Sequence, residues 1–117
     1  MSSTHNIQIV QGDTFQMNIT WKDGNDNLIN LTSYSARMDV RPYWGSSTRL
    51  LSSQGESPTI GLTLGGASGT IDVSIAASVT ASLSAPLNAV YDIEVQSGAF
   101  VKKLLRGNVK VSDEVTL

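Results

Sequence analysis

The residues best suited to contact another molecule lie in two short stretches of the chain. Tyr43 and Trp44 follow Arg41 and Pro42 in an irregular segment. Adjacent aromatic rings beside a guanidinium can stack on a sugar or anchor a protein interface. The other interpretation is that one ring covers an end of the fold. The second stretch, residues 100–106 (FVKKLLR), is basic.

The basic stretch reads as part of a β-strand, which decides which of its charges can act together. Neighbouring strand residues point to opposite faces, so Lys102 and Lys103 cannot share one. Lys102 and Arg106 share a face provided that no β-bulge intervenes. Such charges serve first to solubilise and protect a strand edge, and a specific partner contact is the alternative. The candidate interface residues are Arg41, Tyr43, Trp44, Lys102 and Arg106.

The residue types and their spacing give little indication of a catalytic site. His5 is the only histidine and lies near the start of the chain, so we expect it to be solvated rather than catalytic. Asp39, Asp72, Asp92 and Glu94 fall on the polar phases of predicted strands, and solvated faces explain them more simply than a glycosidase pair. We therefore expect no catalytic residue and no enzymatic activity.

Metal and cofactor sites are also not expected. Asp23 opens a DGNDN run, but the sixth and twelfth positions of a calcium loop would be Leu28 and Tyr34, where glycine and glutamate are needed. The glycine-rich residues 61–69 contain no lysine and lie between two predicted strands, which indicates a hairpin turn rather than a phosphate loop. Without cysteine and with a single histidine, zinc has too few ligands.

Composition narrows the class of partner. The formal net charge is −2, with 8 basic and 10 acidic residues, which is unsuited to nucleic acid. Charged residues are only 15% of the chain, and a charge-poor, hydroxyl-rich surface suits strands. No secretory signal is visible, and no apolar run approaches the roughly 18 residues of a membrane span. We expect no nucleic-acid or membrane partner, and synthesis in a cytoplasm.

Period-two alternation of apolar residues predicts most of the secondary structure. We expect one all-β domain over residues 1–117, folded as a β-sandwich, with a small open barrel as the alternative. Residues 76–86 predict one short helical turn. Trp21 is expected in the core, and Gly107 indicates a bulge or a bend. The alternating segments are residues 15–21, 34–40, 60–64, 71–75 and 91–95, with a hairpin between the third and the fourth.

A resemblance to a known family covers nearly the whole chain. The segment QGDTFQMNITWKDGNDNLINLTSYSARMDVR resembles the opening of small structural domains of tailed bacteriophages, which form immunoglobulin-like β-sandwiches. The later SVTASL, YDIEV and VKKLLRGNVKVSDEVT resemble the closing segments of the same domains. Similar domains occur at the N-terminus of baseplate upper proteins. The matched residues resemble fold determinants and include Gly12, Asp13, Leu31, Tyr34, Arg41, Tyr91, Gly107 and Val109.

The resemblance implies an immunoglobulin-like β-sandwich of about seven to nine strands and a non-enzymatic assembly role in the virion. It implies a tail, baseplate or neck component that packs in symmetric copies against other phage structural proteins, after synthesis in the host cytoplasm. Baseplate upper proteins continue into a stalk, whereas this chain ends at Leu117, so an adaptor is expected rather than a whole fibre. The alternative is a carbohydrate- or receptor-binding module that uses Tyr43 and Trp44.

Overall fold

A computed structural model describes residues 3–113, and the side chains of residues 4–113. One short helix, α1 (Ala77–Ala81), and a 3-10 turn (Gly66–Ser68) accompany the strands. The strands are β1 (Ser3–Thr4), β2 (Ile7–Val10), β3 (Phe15–Thr20), β4 (Ser35–Arg41), β5 (Leu51–Ser52), β6 (Gly61–Leu64), β7 (Thr70–Ile75), β8 (Leu87–Ser97) and β9 (Phe100–Ser112).

The strands form two sheets packed as a sandwich. The larger sheet has the order β1–β9–β8–β4–β5, and β2 joins β9 on the same side as β1. Both N-terminal strands run parallel to β9 and act as one strand interrupted at residues 5–6. The smaller sheet has the order β3–β7–β6. This matches the immunoglobulin plan, since β3, β7 and β6 correspond to strands B, E and D of one sheet, and β9, β8 and β4 to strands G, F and C of the other. The β-sandwich predicted from the sequence is confirmed.

The core follows the predicted alternation of apolar residues. The inward residues of β7 and β8 are almost wholly buried, as are those of β4 from Met38 onward. The inward residues of β3 are only half-buried, because β3 is an edge strand of the smaller sheet. Trp21 packs half-buried against a second core cluster, with its ring edge-on to that of Tyr34 at 5.6 Å between centroids. The buried residues include Met38, Val40, Ile71, Val73, Ile75, Tyr91, Ile93, Val95, Val109 and Val111.

The single helical turn predicted between β7 and β8 is confirmed as α1. Thr80 of this helix is fully buried, and its hydroxyl donates to the Asp13 carbonyl at 2.8 Å. The same oxygen accepts the Gly12 backbone N–H at 3.1 Å. The helix is thereby attached to the turn between β2 and β3. The buried Thr80 hydroxyl acts both as a hydrogen-bond donor and as an acceptor.

Gly107 permits a close approach between the N-terminal strand and β9. The His5 backbone N–H donates to the Arg106 carbonyl at 2.8 Å, and the buried Tyr91 hydroxyl donates to the His5 carbonyl at 2.5 Å. Burial raises the pKa of Tyr91 to about 12. A Cβ at position 107 would lie 2.1 Å from the His5 oxygen. Of the bulge or bend predicted at Gly107, the bulge is wrong, since the residue pairs regularly with Tyr91.

The β-bulge of β9 lies at Leu104 instead. Ile93 of β8 is opposite Leu105, whereas the next residue, Glu94, is opposite Lys103. Leu104 is the extra residue, and it is buried in the core while Leu105 packs partly against it. Two neighbouring leucines therefore both serve the interior, and the inside–outside phase of β9 changes at this point.

Candidate protein interface on the larger sheet

The outer face of the larger sheet carries charged side chains on three neighbouring strands, β4, β8 and β9. Residues directly opposite in an antiparallel pair project from the same face, close enough to interact. The register pairs on this face are Arg37–Glu94, Asp39–Asp92, Glu94–Lys103 and Asp92–Arg106.

Glu94 is the acceptor of a three-strand ion-pair network. The Lys103 ammonium lies 2.6 Å from Glu94 and 3.2 Å from Asp92, and the Arg37 guanidinium also donates to Glu94. The hydrogen bond from Lys103, helped by Arg37, lowers the pKa of Glu94 against the opposing effect of burial. Burial alone would lower the pKa of Lys103, but its two carboxylate partners raise it.

Asp39 anchors the other half of the charged face. It accepts hydrogen bonds from the Ser52 hydroxyl at 2.6 Å and from Arg41 at 3.0 Å, and Arg49 lies 3.3 Å away. Burial alone would raise the pKa of Asp39, but these donors and cations outweigh it and the pKa is lowered. Asp39 and Glu94 are each only 13% exposed. The sequence correctly placed both carboxylates on the polar face of their strands. They are, however, covered mainly by the cations that pair with them and not by solvent.

The segment that contains the two exposed aromatic rings folds back over this face. The Arg41 guanidinium donates to the Ser46 carbonyl at 2.7 Å, which fixes the loop at its base. The Trp44 ring then lies over Arg106, with the guanidinium carbon 4.3 Å from the ring centroid. Tyr43 remains 65% exposed and Trp44 47%. We call the surface formed by Arg41, Tyr43, Trp44 and Arg106 the outer-face patch.

A cleft of about 270 Å³ opens beneath the outer-face patch. It is lined by the aromatic loop and by Arg41, Asp39 and Asp92, and Arg41 lies 3.0 Å from Asp39. Asp92 keeps the more accessible carboxylate, with a side chain 32% exposed. The six cations on this face, Arg37, Arg41, Arg49, Lys103, Arg106 and Lys110, outnumber the three carboxylates Asp39, Asp92 and Glu94. The surface is thus locally positive, although the whole chain has a net charge of −2.

The structure brings four of the five predicted interface residues together and separates the fifth. The bulge at Leu104 means that Lys102 and Arg106 do not share a face, because Lys102 has the inward phase of Val95. Lys102 instead borders a groove between the two sheets, beside Lys22. The leucine pair that follows the lysine pair breaks the alternation, and this signal could have revealed the bulge from the sequence.

Sequence reasoning did not assign the ion-pair network to the candidate site. The signal available was the alternation of charge along β4, where Arg37, Asp39 and Arg41 occupy every second position. Such spacing places all three on one face of a strand. Their cross-strand partners depend on strand order and register, which alternation does not provide.

The other candidate sites have ordinary structural roles. Asp23 accepts the backbone N–H groups of Asn25 at 2.8 Å and Asn27 at 3.0 Å, so its carboxylate closes a turn. These hydrogen bonds, led by that of Asn27, lower the pKa of Asp23. Residues 61–69 form β6 and the turn that joins it to β7 in a hairpin, as predicted. The His5 side chain is exposed.

Within residues 3–113, no three metal-binding side chains gather in one place. No helix in that range is long and apolar enough to cross a membrane.

In comparisons with known proteins, no family model matches the chain and no curated protein is significantly similar to it. The outer face of the larger sheet offers two aromatic rings, a guanidinium held against one of them and a paired set of charges. These groups suit binding, since aromatic residues and arginine are the types enriched at protein interfaces.

Proposed function

We propose that the protein is a non-enzymatic assembly protein of a tailed-phage particle, in the tail, baseplate or neck, and that it binds neighbouring structural proteins through the outer-face patch. The observation that carries this proposal is the exposure of Tyr43 and Trp44 side by side, with the Trp44 ring stacked on the Arg106 guanidinium. Tyrosine, tryptophan and arginine dominate the binding energy of protein interfaces.

The loop and its Trp44 ring are supported before any partner binds, which favours affinity. Arg41 fixes the loop through the Ser46 carbonyl and is itself paired with Asp39. Arg106 supports Trp44 from below. Side chains that are already ordered lose less conformational entropy on association. The positive excess of this face predicts that the partner surface carries carboxylates around an apolar pocket.

The particle itself is proposed from the sequence resemblance to phage structural domains. A sandwich with a polar, aromatic-bearing sheet face supplies what symmetric packing requires, and symmetric assemblies repeat one contact in every copy. The candidate partners are therefore other structural proteins of the particle and further copies of this chain.

The test is quantitative peptide mass spectrometry of density-purified phage particles, with the copy number scaled to the major capsid protein. Particles with the wild-type protein should contain a fixed count that matches a closed ring, such as about six or twelve copies. The double variant Tyr43→Ala plus Trp44→Ala should be lost from particles at least about tenfold, as removal of two central aromatic anchors predicts.

Leu28→Ala is the matched control, because Leu28 is 50% exposed but lies on a different loop. It should be incorporated like the wild type. Absence of the wild-type protein from intact particles overturns the proposal. Equal incorporation of the double variant overturns the assignment of the outer-face patch.

A second function is favoured by the cleft beneath the patch. A cavity of about 270 Å³ with an arginine, two carboxylates and aromatic rings resembles a saccharide site in its chemistry. Carboxylates accept hydrogen bonds from sugar hydroxyls, and rings stack on sugar faces. If the double variant loses glycan binding but is still incorporated into particles, the carbohydrate-binding function replaces the assembly function for this surface.

A further inference from the structure

The smaller sheet ends in an open edge at β3. The sheet order is β3–β7–β6, so β3 (Phe15–Thr20) has β7 on one side and no strand on the other within the part of the chain that the structure describes. An edge strand presents unpaired backbone N–H and C=O groups, which can pair with a strand of another chain. At six residues, β3 has the length of a typical strand.

The register identifies which backbone groups of β3 point outward. The Trp21 N–H donates to the Gly69 carbonyl, while Gly65 bonds to Thr70 on the opposite side of β7. Alternate residues of an antiparallel strand bond to alternate sides. Phe15, Met17 and Ile19 therefore bond to β7, and the backbone groups of the residues between them point to the open edge. These outward residues are Gln16, Asn18 and Thr20.

The strand β3 itself carries none of the usual protection of an edge, and the one lysine of β9 near it, Lys102, borders only the groove at its C-terminal end. Proteins block edges with lysine, proline, a bulge, a short strand or a covering loop. β3 reads FQMNIT and pairs with β7 through six consecutive residues without a register shift. By contrast, β5 at the edge of the larger sheet has only two residues, and Thr59 and Ile60 donate to its Ser52 carbonyl.

The charges beside β3 indicate what pairs with it. Asp13 precedes the strand and Lys22 follows it, and both side chains are exposed. Lys22 also contacts Asp26 at 3.3 Å, but this pair is 46% and 84% exposed and such pairs contribute little. An antiparallel twofold pairing centred on Asn18 brings Lys22 of each copy close to Asp13 of the other. A parallel pairing would bring like charges together.

We propose that β3 pairs antiparallel with β3 of a second copy of this chain about a twofold axis. The two three-stranded sheets then form one continuous sheet of six strands. The half-exposed Phe15, Met17 and Ile19 gain cover from the same residues of the second copy. This inference deepens the assembly function proposed above, and rests on it for its biological role, but it uses a different surface of the sandwich.

Sedimentation equilibrium of the purified chain measures the proposed contact directly. The wild-type protein should reach 25 kDa, twice the 12.5 kDa of one chain. Asn18→Lys places a lysine at the centre of the open edge, and its neighbour Asp72 accommodates the charge in the single copy. Two such lysines meet across the twofold axis, so the dissociation constant of the dimer should rise at least about tenfold.

Thr63→Lys is the matched control, because Thr63 is also opposite Asp72 but lies on β6, at the other edge of the same sheet. It should dimerise like the wild type. Amide hydrogen exchange of the wild-type protein gives a test without any substitution. The Gln16, Asn18 and Thr20 amides should be protected in the dimer and should exchange fast at concentrations where it dissociates.

A wild-type chain that stays at 12.5 kDa up to about 1 mM, with fast exchange at Asn18, overturns the pairing. A dimer that Asn18→Lys leaves unchanged also overturns it. The failure of this inference is separable from that of the proposed function. The Tyr43→Ala plus Trp44→Ala variant should still dimerise, and its incorporation into particles is measured independently.

Discussion

Replacing Gly107 with alanine is expected to destabilise the protein by about 3 kcal/mol, because the new methyl group would occupy space taken by the N-terminal strand. The Cβ would lie 2.1 Å from the His5 oxygen and 2.7 Å from its carbonyl carbon. Carbon–oxygen contacts in proteins are normally about 3.3 Å or longer. The strand that carries His5 must therefore move away from β9 by about 1 Å.

Two costs follow from that displacement, and one gain offsets part of them. The buried Tyr91 hydroxyl loses its acceptor at His5, which costs about 1–3 kcal/mol. Forcing a methyl group into a filled space costs a further ~1–3 kcal/mol, because Ile7 and Ile9 are displaced with the strand. Restricting the unfolded chain returns about 0.4–1 kcal/mol.

Urea unfolding compares Gly107→Ala with a matched control, Gly61→Ala. A Cβ at position 61 would lie 3.6 Å from the Ser74 carbonyl oxygen, an ordinary contact, so this control should stay within about 0.5 kcal/mol of the wild type. A double-mutant cycle adds Tyr91→Phe, which removes the hydroxyl. If Gly107→Ala already breaks the Tyr91–His5 hydrogen bond, the two effects should be sub-additive by about 1 kcal/mol.

The reasoning is refuted if Gly107→Ala and Gly61→Ala have equal free energies of unfolding. Full additivity in the cycle would refute the narrower claim that the hydrogen bond to His5 is what the methyl group disrupts. Either result would mean that the N-terminal strand adapts to a larger residue without leaving β9.

Two further substitutions test the charged face and the helix. Glu94→Gln should lower the free energy of unfolding by about 0.5–1 kcal/mol at neutral pH. The folded-state pKa of Glu94 is lowered, so its contribution is present above the unfolded value of 4.5 and is lost as the pH falls through the folded value. Between about pH 7 and about pH 3, the free energy of unfolding of Glu94→Gln should therefore fall less than that of the wild type. The exposed control Asp26→Asn should follow the wild type. Thr80→Val should cost about 2 kcal/mol in urea unfolding, because it leaves the Gly12 N–H without its acceptor, and Thr80→Ser should retain most of the stability.

The sandwich was predictable because its central strands obey period-two alternation. Met38, Val73 and Ile93 each lie within an alternating run, and each is buried in the structure. One face of these strands must leave water, which fixes the inside–outside phase from local sequence alone. The hairpin of β6 and β7 followed from two such runs joined by a glycine-rich turn.

The parts that were not predictable depend on contacts between distant segments. Gly107 is a glycine because of His5, about one hundred residues earlier in the chain, and nothing near position 107 indicates this. The bulge at Leu104, which puts Lys102 on the inward face of β9, is an exception, because the leucine pair after the lysine pair signals it locally. For the candidate site, the aromatic pair and Arg106 were identified separately, but only the fold places Trp44 on that guanidinium.

The place of β9 within the larger sheet has a consequence for biosynthesis. β9 lies between the N-terminal strands and β8, and it is the last described strand to leave the ribosome. Hydrogen bonds such as that from the Asn108 N–H to the Asn6 side chain span 102 positions of the chain. Until β9 emerges, the strand that carries Ile7 and Ile9 has no pairing partner, and one edge of β8 is unpaired. Contacts of such long range slow folding and expose strand edges for longer. All three strands of the smaller sheet leave the ribosome before β9, so the larger sheet can be completed only after its last described strand has emerged.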